Sequence, residues 1–190
     1  MNVRDFVLLA LGAMGGQVRG KTKLQKQVYF VAQLTRTDVP LGFRAHYYGP
    51  YSVRVENALD ELWSLGLIEK RTNTTGQPGD RGYERVRYDF SLTDFGRRAI
   101  AQVREACPAE AQAVDRAAET MRRAGGVDLH YMDLAAAAKT HFILRQSGKS
   151  MHDDEISATA AKLDWQLGTQ QIEDAADFLM KLHLARTTED

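Results

Sequence analysis

One stretch of this chain alternates with the two-residue period of a strand. Val86, Tyr88, Phe90 and Leu92 take turns with Arg85, Arg87, Asp89 and Ser91, which puts four apolar side chains on one face of an extended segment. The longer apolar patterns elsewhere repeat at three to four residues. That contrast limits the sheet to little more than a hairpin and makes the fold mainly α. A first strand is predicted from Leu67 through Lys70-Arg71, and residues 75–82, rich in glycine with one proline, are predicted as turn or loop.

The segments before the hairpin read as three helices. Phe6, Val7, Leu9, Ala10, Ala13 and Met14 fit a helix ended by Gly15-Gly16. Thr22 and Gln25 have the spacing of a capping box, after which Leu24, Val28, Val31 and Ala32 form an apolar face. Phe43 to Tyr48 is predicted as a short strand or extended segment stopped by Gly49-Pro50. Ser52 is then the expected N-cap of a third helix, with Val55, Ala58, Leu59 and Leu62 facing inward as far as Gly66. Three helices and a basic hairpin are the outline of a winged helix-turn-helix, predicted over residues 1–104 with a fourth helix from Thr93-Asp94. Residues 105–190 read as helix only: one helix from Pro108 to Gly125-Gly126, one from Leu129 to Arg145, and two apolar faces at 156–167 and 172–182.

Composition narrows the function. The 190 residues are 44% hydrophobic and 26% charged, enough for a real core. No apolar run approaches the roughly 20 residues that span a bilayer. The single cysteine, Cys107, excludes an intramolecular disulfide and a Cys-based zinc site. A cytoplasmic protein with no membrane association is expected. Charge is uneven: residues 1–100 hold 15 Lys/Arg against 10 Asp/Glu, and the rest hold 10 against 15. A basic front half joined to an acidic back half implies two working surfaces, the acidic one available for a homodimer or another partner.

Residues Gly15 to Thr22 match the phosphate-loop pattern G-x-x-x-x-G-K-T. A working loop needs a strand before it and a parallel sheet around it. Here the preceding run has helical spacing, so an inter-helix turn is the reading and nucleotide binding the remote alternative. The histidines show no H-x-x-x-H pair and no G-x-S-x-G elbow is present. No catalytic residue, metal ligand or cofactor is expected, and the chain is read as non-enzymatic.

Lys21, Lys23 and Lys26 crowd the start of the second helix, where free N–H groups already favour phosphate, and Arg81, Arg85 and Arg87 lie in the hairpin. These six are the expected DNA-phosphate contacts. Against them stands the third helix, the groove-entering one in such folds, which carries Glu56, Asp60 and Glu61 with Arg54 alone in opposition. In the aromatic stretch 43–51, Phe43 and Tyr47 are read as packed, and Tyr48 and Tyr51 as the partner-binding candidates.

The blocks Gly20-Lys-Thr-Lys-Leu-Gln-Lys26 and His46-Tyr-Tyr-Gly-Pro-Tyr-Ser52, with Gly66-Leu67-Ile68, resemble the YwgA-like family of bacterial proteins. More remotely they are similar to the Panacea (SocA-like) antitoxin domain, with its KLQK-type helix and YGP turn. The resemblance implies a winged helix with a helical C-terminal part and supplies no catalytic residues. Two functions are therefore expected, a regulator that binds DNA through phosphate contacts and, as the alternative, an antitoxin-like or adaptor module that binds a protein.

Overall fold

The computed structural model describes residues 1–78 and 84–185. Among them the order is α1 (Val3–Ala13), β1 (Gln17–Arg19), α2 (Lys21–Thr35), α3 (Val53–Ser64), β2 (Ile68–Pro78), β3 (Glu84–Leu92), α4 (Asp94–Ala106), α5 (Pro108–Arg123), α6 (Tyr131–Ser147), α7 (Asp153–Lys162) and α8 (Thr169–Lys181). The expected mainly α fold with a small antiparallel sheet is what forms. The strands lie in the order β1–β3–β2, with Val18 opposite Phe90 and Ile68 opposite Leu92. These four apolar residues line the buried face of the sheet.

Among the described residues, side-chain caps open four of the eight helices, α1, α3, α4 and α6. The Ser52 hydroxyl accepts the Val55 N–H at 3.0 Å, and the Thr93 hydroxyl accepts the Gly96 N–H at 3.0 Å. The capping box predicted at Thr22 does not form. α2 begins one residue earlier, after Gly20 at φ 94°, without a side-chain cap. Gln25 is turned away from the helix start toward Ser52, for a reason given below.

Two further expectations need correction. The segment predicted as a short strand or extended at 43–48 forms no strand: Arg44 makes one antiparallel bridge to Tyr51, and the chain turns at Tyr47 and Tyr48. The stretch predicted as turn at 75–82 is entered by β2, which continues to Pro78, while residues 79–83 lie outside the described residues. The Gly15–Thr22 phosphate-loop match encloses β1, which pairs antiparallel with β3 and follows a helix. It is not a strand–loop–helix.

α2 is the central element, buried on every side from Leu24 to Ala32. The largest core joins it to α1, α3 and the sheet, and α5 contributes Ala111, Val114, Ala117 and Ala118 to the same cluster. A second cluster sets Tyr29 and Phe30 of α2 against Leu134 and Ala138 of α6 and Leu179 of α8. The alanines Ala135–Ala138 are buried and let α6 approach closely, as their small size predicts. A third cluster gathers Ile143, Ile156, Trp165 and Ile172. Among the described residues no helix is long and apolar enough to cross a membrane.

Candidate functional site

The two sequence blocks Lys21–Lys26 and His46–Ser52 interlock. Gln25 Nε2 donates to the Ser52 carbonyl at 3.0 Å, and the Ser52 N–H donates back to Gln25 Oε1 at 3.1 Å. Lys26 Nζ donates to the Pro50 carbonyl at 2.8 Å. The Ser52 hydroxyl donates to the Leu41 carbonyl at 2.5 Å while capping α3. A loop entering the interior must satisfy its backbone groups there. Gln25 and Lys26 do this from the side of α2, which is why Gln25 is unavailable to cap its own helix.

The far half of the chain closes the seat. Trp165, buried, donates its Nε1–H to the His46 carbonyl at 2.6 Å. The Gly49 N–H donates to the same carbonyl at 2.9 Å. Gly49 stands at φ 90°, and a Cβ there would come within 3.0 Å of Lys139 Cγ and 3.4 Å of the Ala135 carbonyl oxygen. Glycine therefore serves two needs at once, a backbone conformation closed to other residues and room for α6. Lys139 lies nearly buried with its ammonium 5.8 Å from the centre of the Trp165 ring.

Burial sets the charge of these lysines. Lys26 is 1% exposed, and desolvation, with the neighbouring Lys139 charge second, brings its pKa down to about 7. Burial also lowers Lys139. A neutral amine still donates to the Pro50 carbonyl. Above about pH 7 the pin on the turn thus persists without a buried positive charge.

The turn presents aromatic side chains outward. Tyr47 is 74% and Tyr48 52% exposed. The His46 ring lies against Tyr47 and Tyr51, with centroids 5.3 and 4.9 Å apart. Tyr47 is thus a correction to the packed reading, because it falls at the tip of the tight turn. Phe43 packs as predicted, edge-on to Tyr29 at 5.1 Å. Tyr51 is half-buried and belongs to the base of the turn; burial and the nearby Glu56 carboxylate push its phenol pKa up.

The expected phosphate contacts do not form one free basic surface. Lys26 is withdrawn into the protein, five residues and about one and a half turns beyond Lys21. Lys21 pairs with Glu56 at 2.5 Å, which, with Tyr51 second, holds the carboxyl below its ordinary range. Arg87 makes a two-point contact with Asp89, Nε to Oδ1 and Nη2 to Oδ2, both at 2.9 Å. Lys23 is half-buried at the first turn of α2 and makes no ion pair among the described residues. Arg81 lies outside the described residues; the backbone of Arg85 is in β3 and its side chain is outside what is described.

The acids of α3 are likewise paired. Besides Glu56, Asp60 meets Lys70 at 3.0 Å and Glu61 meets Arg4 at 2.9 Å. Lys70 also sits 5.4 Å over Trp63 and 5.0 Å over Tyr88. The helix, hairpin and α2 start neutralise one another. Sequence reasoning missed Gln25, Ser52, Lys139 and Trp165 as parts of the turn's seat. Only the run of three polar side chains, Gln25, Lys26 and Gln27, inside an otherwise apolar stretch of α2 hinted at it.

No protein-family model matches the chain. Part of it is similar to the "Uncharacterized protein YwgA" of Bacillus subtilis (strain 168), with 32% identity over 89 residues. The comparison is thus consistent with the YwgA-like resemblance, over 47% of this chain. The chain spans about half the length of that curated relative, 49%.

Proposed function

We propose that this chain is a non-enzymatic winged-helix protein that works as an interaction module, meeting a protein partner with the turn that carries Tyr47 and Tyr48. The order α1-β1-α2-α3-β2-β3, with β1 added to the outer edge of β3, supports the winged helix. The observation that carries the function is the pair of exposed tyrosines on a backbone tied from behind by Gln25, Lys26 and Trp165. Aromatic side chains dominate binding energy at interfaces, and a backbone ordered beforehand loses little entropy on docking. The remote likeness to an antitoxin domain points the same way.

DNA binding is the second reading. It is favoured by one observation: Arg87 lies against Gly20, the N-cap of α2, which places it with Arg19, Lys21 and Lys23 at the first turn of that helix. Phosphate contact would have to draw Lys21 from Glu56 and Arg87 from Asp89. The test has two arms. A photo-crosslinking residue at position 48, in the cells that make the protein, is expected to yield a discrete adduct that Tyr47→Ala removes; position 116 on α5 serves as control. In parallel, anisotropy on a random duplex at two salt concentrations is expected to show no micromolar binding. Salt-sensitive binding that vanishes in Arg85→Glu/Arg87→Glu, with no adduct at position 48, would transfer the function to DNA.

A further inference from the structure

A cavity of about 870 Å³ opens between the C-terminal halves of α2 and α6, walled on its third side by residues 37–43. It lies apart from the outward face of the 46–51 turn. Its floor is a buried polar pair, the Tyr29 hydroxyl 2.7 Å from His141 Nδ1. Burial pushes the Tyr29 phenol up and, with the Arg145 charge second, brings His141 down to about 4, so both are neutral at ordinary pH. The phenol proton has no other acceptor among the described residues, and in the tautomer that uses it the hydroxyl donates to Nδ1. A neutral imidazole then carries its own proton on Nε2. No described residue accepts that proton, and His141 lines the cavity.

Two guanidinium groups stand at the mouth. Arg145 follows His141 by one helical turn and donates Nη1 to Gln33; it makes no ion pair among the described residues. Arg36 makes no ion pair among the described residues, and Asp38 is the acid on the lining. α2 and α6 both end here, and their last carbonyls oppose an anion; the two arginines occupy those ends and offset them. Phe43 and Phe142 supply flat apolar wall.

We propose that this cavity binds a small organic carboxylate with a flat apolar body, its carboxylate held by Arg145 and the His141 Nε2–H and its body between Phe43 and Phe142. The volume suits a molecule of bicyclic size. A site of this kind is a receptor for a metabolite acid, independent of whether the turn binds a protein.

The probes are 2-naphthoate and its neutral isostere 2-naphthamide, titrated calorimetrically into the full chain. The acid is expected to bind at least about tenfold more tightly than the amide, the scale of a charge-assisted hydrogen bond. Arg145→Gln is expected to erase that preference. Backbone amide shifts induced by the acid in the unmodified protein are expected to cluster at residues 33–36 and 141–146. That mapping stands even if the variant does not fold. Equal affinity for acid and amide, absence of binding by either, shifts centred elsewhere, or a preference that survives in folded Arg145→Gln would each overturn the proposal.

Discussion

The seat of the 44–52 turn and the face that α3 shares with the hairpin use the same chemistry, a lysine ammonium against oxygen, in opposite surroundings. On the hairpin face Lys21–Glu56 and Lys70–Asp60 are partly solvated pairs between charged groups. In the seat Lys26 meets an uncharged carbonyl inside the protein. Solvated pairs are each worth about 1 kcal/mol or less, because water competes for both partners. A buried donor and acceptor have no water to fall back on, so losing one leaves the other unsatisfied. Two lysines of one helix thus serve a replaceable surface contact and a structural pin, and helical phase decides which is which.

The contrast breaks most severely at the buried end. Trp165→Ala empties a large side chain from the third core cluster and frees the His46 carbonyl. A loss of about 3–5 kcal/mol in urea denaturation is expected. Trp165→Phe, which keeps most of the volume, should cost clearly less; equal costs would mean that packing alone holds the turn.

Lys26 supplies the next effect through pH. Its folded pKa of about 7 lies below the ordinary 10.5. The unfolded chain therefore binds the extra proton between these values, and stability rises with pH across that window. Stated from the other end, the contribution is lost as pH falls from 10.5 to about 7. Relative to Lys26→Met, the unmodified protein should gain about 3 kcal/mol between pH 7 and pH 9.5, at about 1.4 kcal/mol per pH unit. A constant difference between the two proteins over that range would mean an ordinary surface lysine.

Gly49→Ala tests the same seat through the backbone. The positive φ and the close approach of Lys139 and Ala135 should together cost about 1–3 kcal/mol. A neutral result would mean that the turn shifts freely. The smallest effect belongs to the surface: Glu56→Gln should change stability by less than about 1 kcal/mol. A larger loss would place the hairpin-face network among the structural elements rather than the replaceable ones.

Much of the fold is legible in the sequence because its signals are local. Ser52 and Thr93 cap the helices they precede, and the alternation at 85–92 marks β3 without reference to anything distant. β1 escapes for a physical reason: three residues between Gly16 and Gly20 are too few to show a period, and only pairing with β3 makes them a strand. The site is less legible. Lys21, Lys23 and Lys26 look alike in sequence, and what buries the last is the 44–52 turn that packs on it and α6 from the far half of the chain. The same holds for Trp165, whose partner is the His46 carbonyl. The exposure of Tyr47 is not legible either, because aromatic clusters usually pack, whereas this residue sits at a turn tip.

The interlock of the two blocks is tested most directly by titrating Lys26 itself. Protein carrying 13C at the lysine Cε positions, with Lys26→Arg used to assign the resonance, should be followed by NMR from pH 5 to pH 11. The expected midpoint for Lys26 is about 7. A midpoint near 10.5, the ordinary lysine value, would place the amine in water and contradict its role as the pin beneath the tyrosine turn.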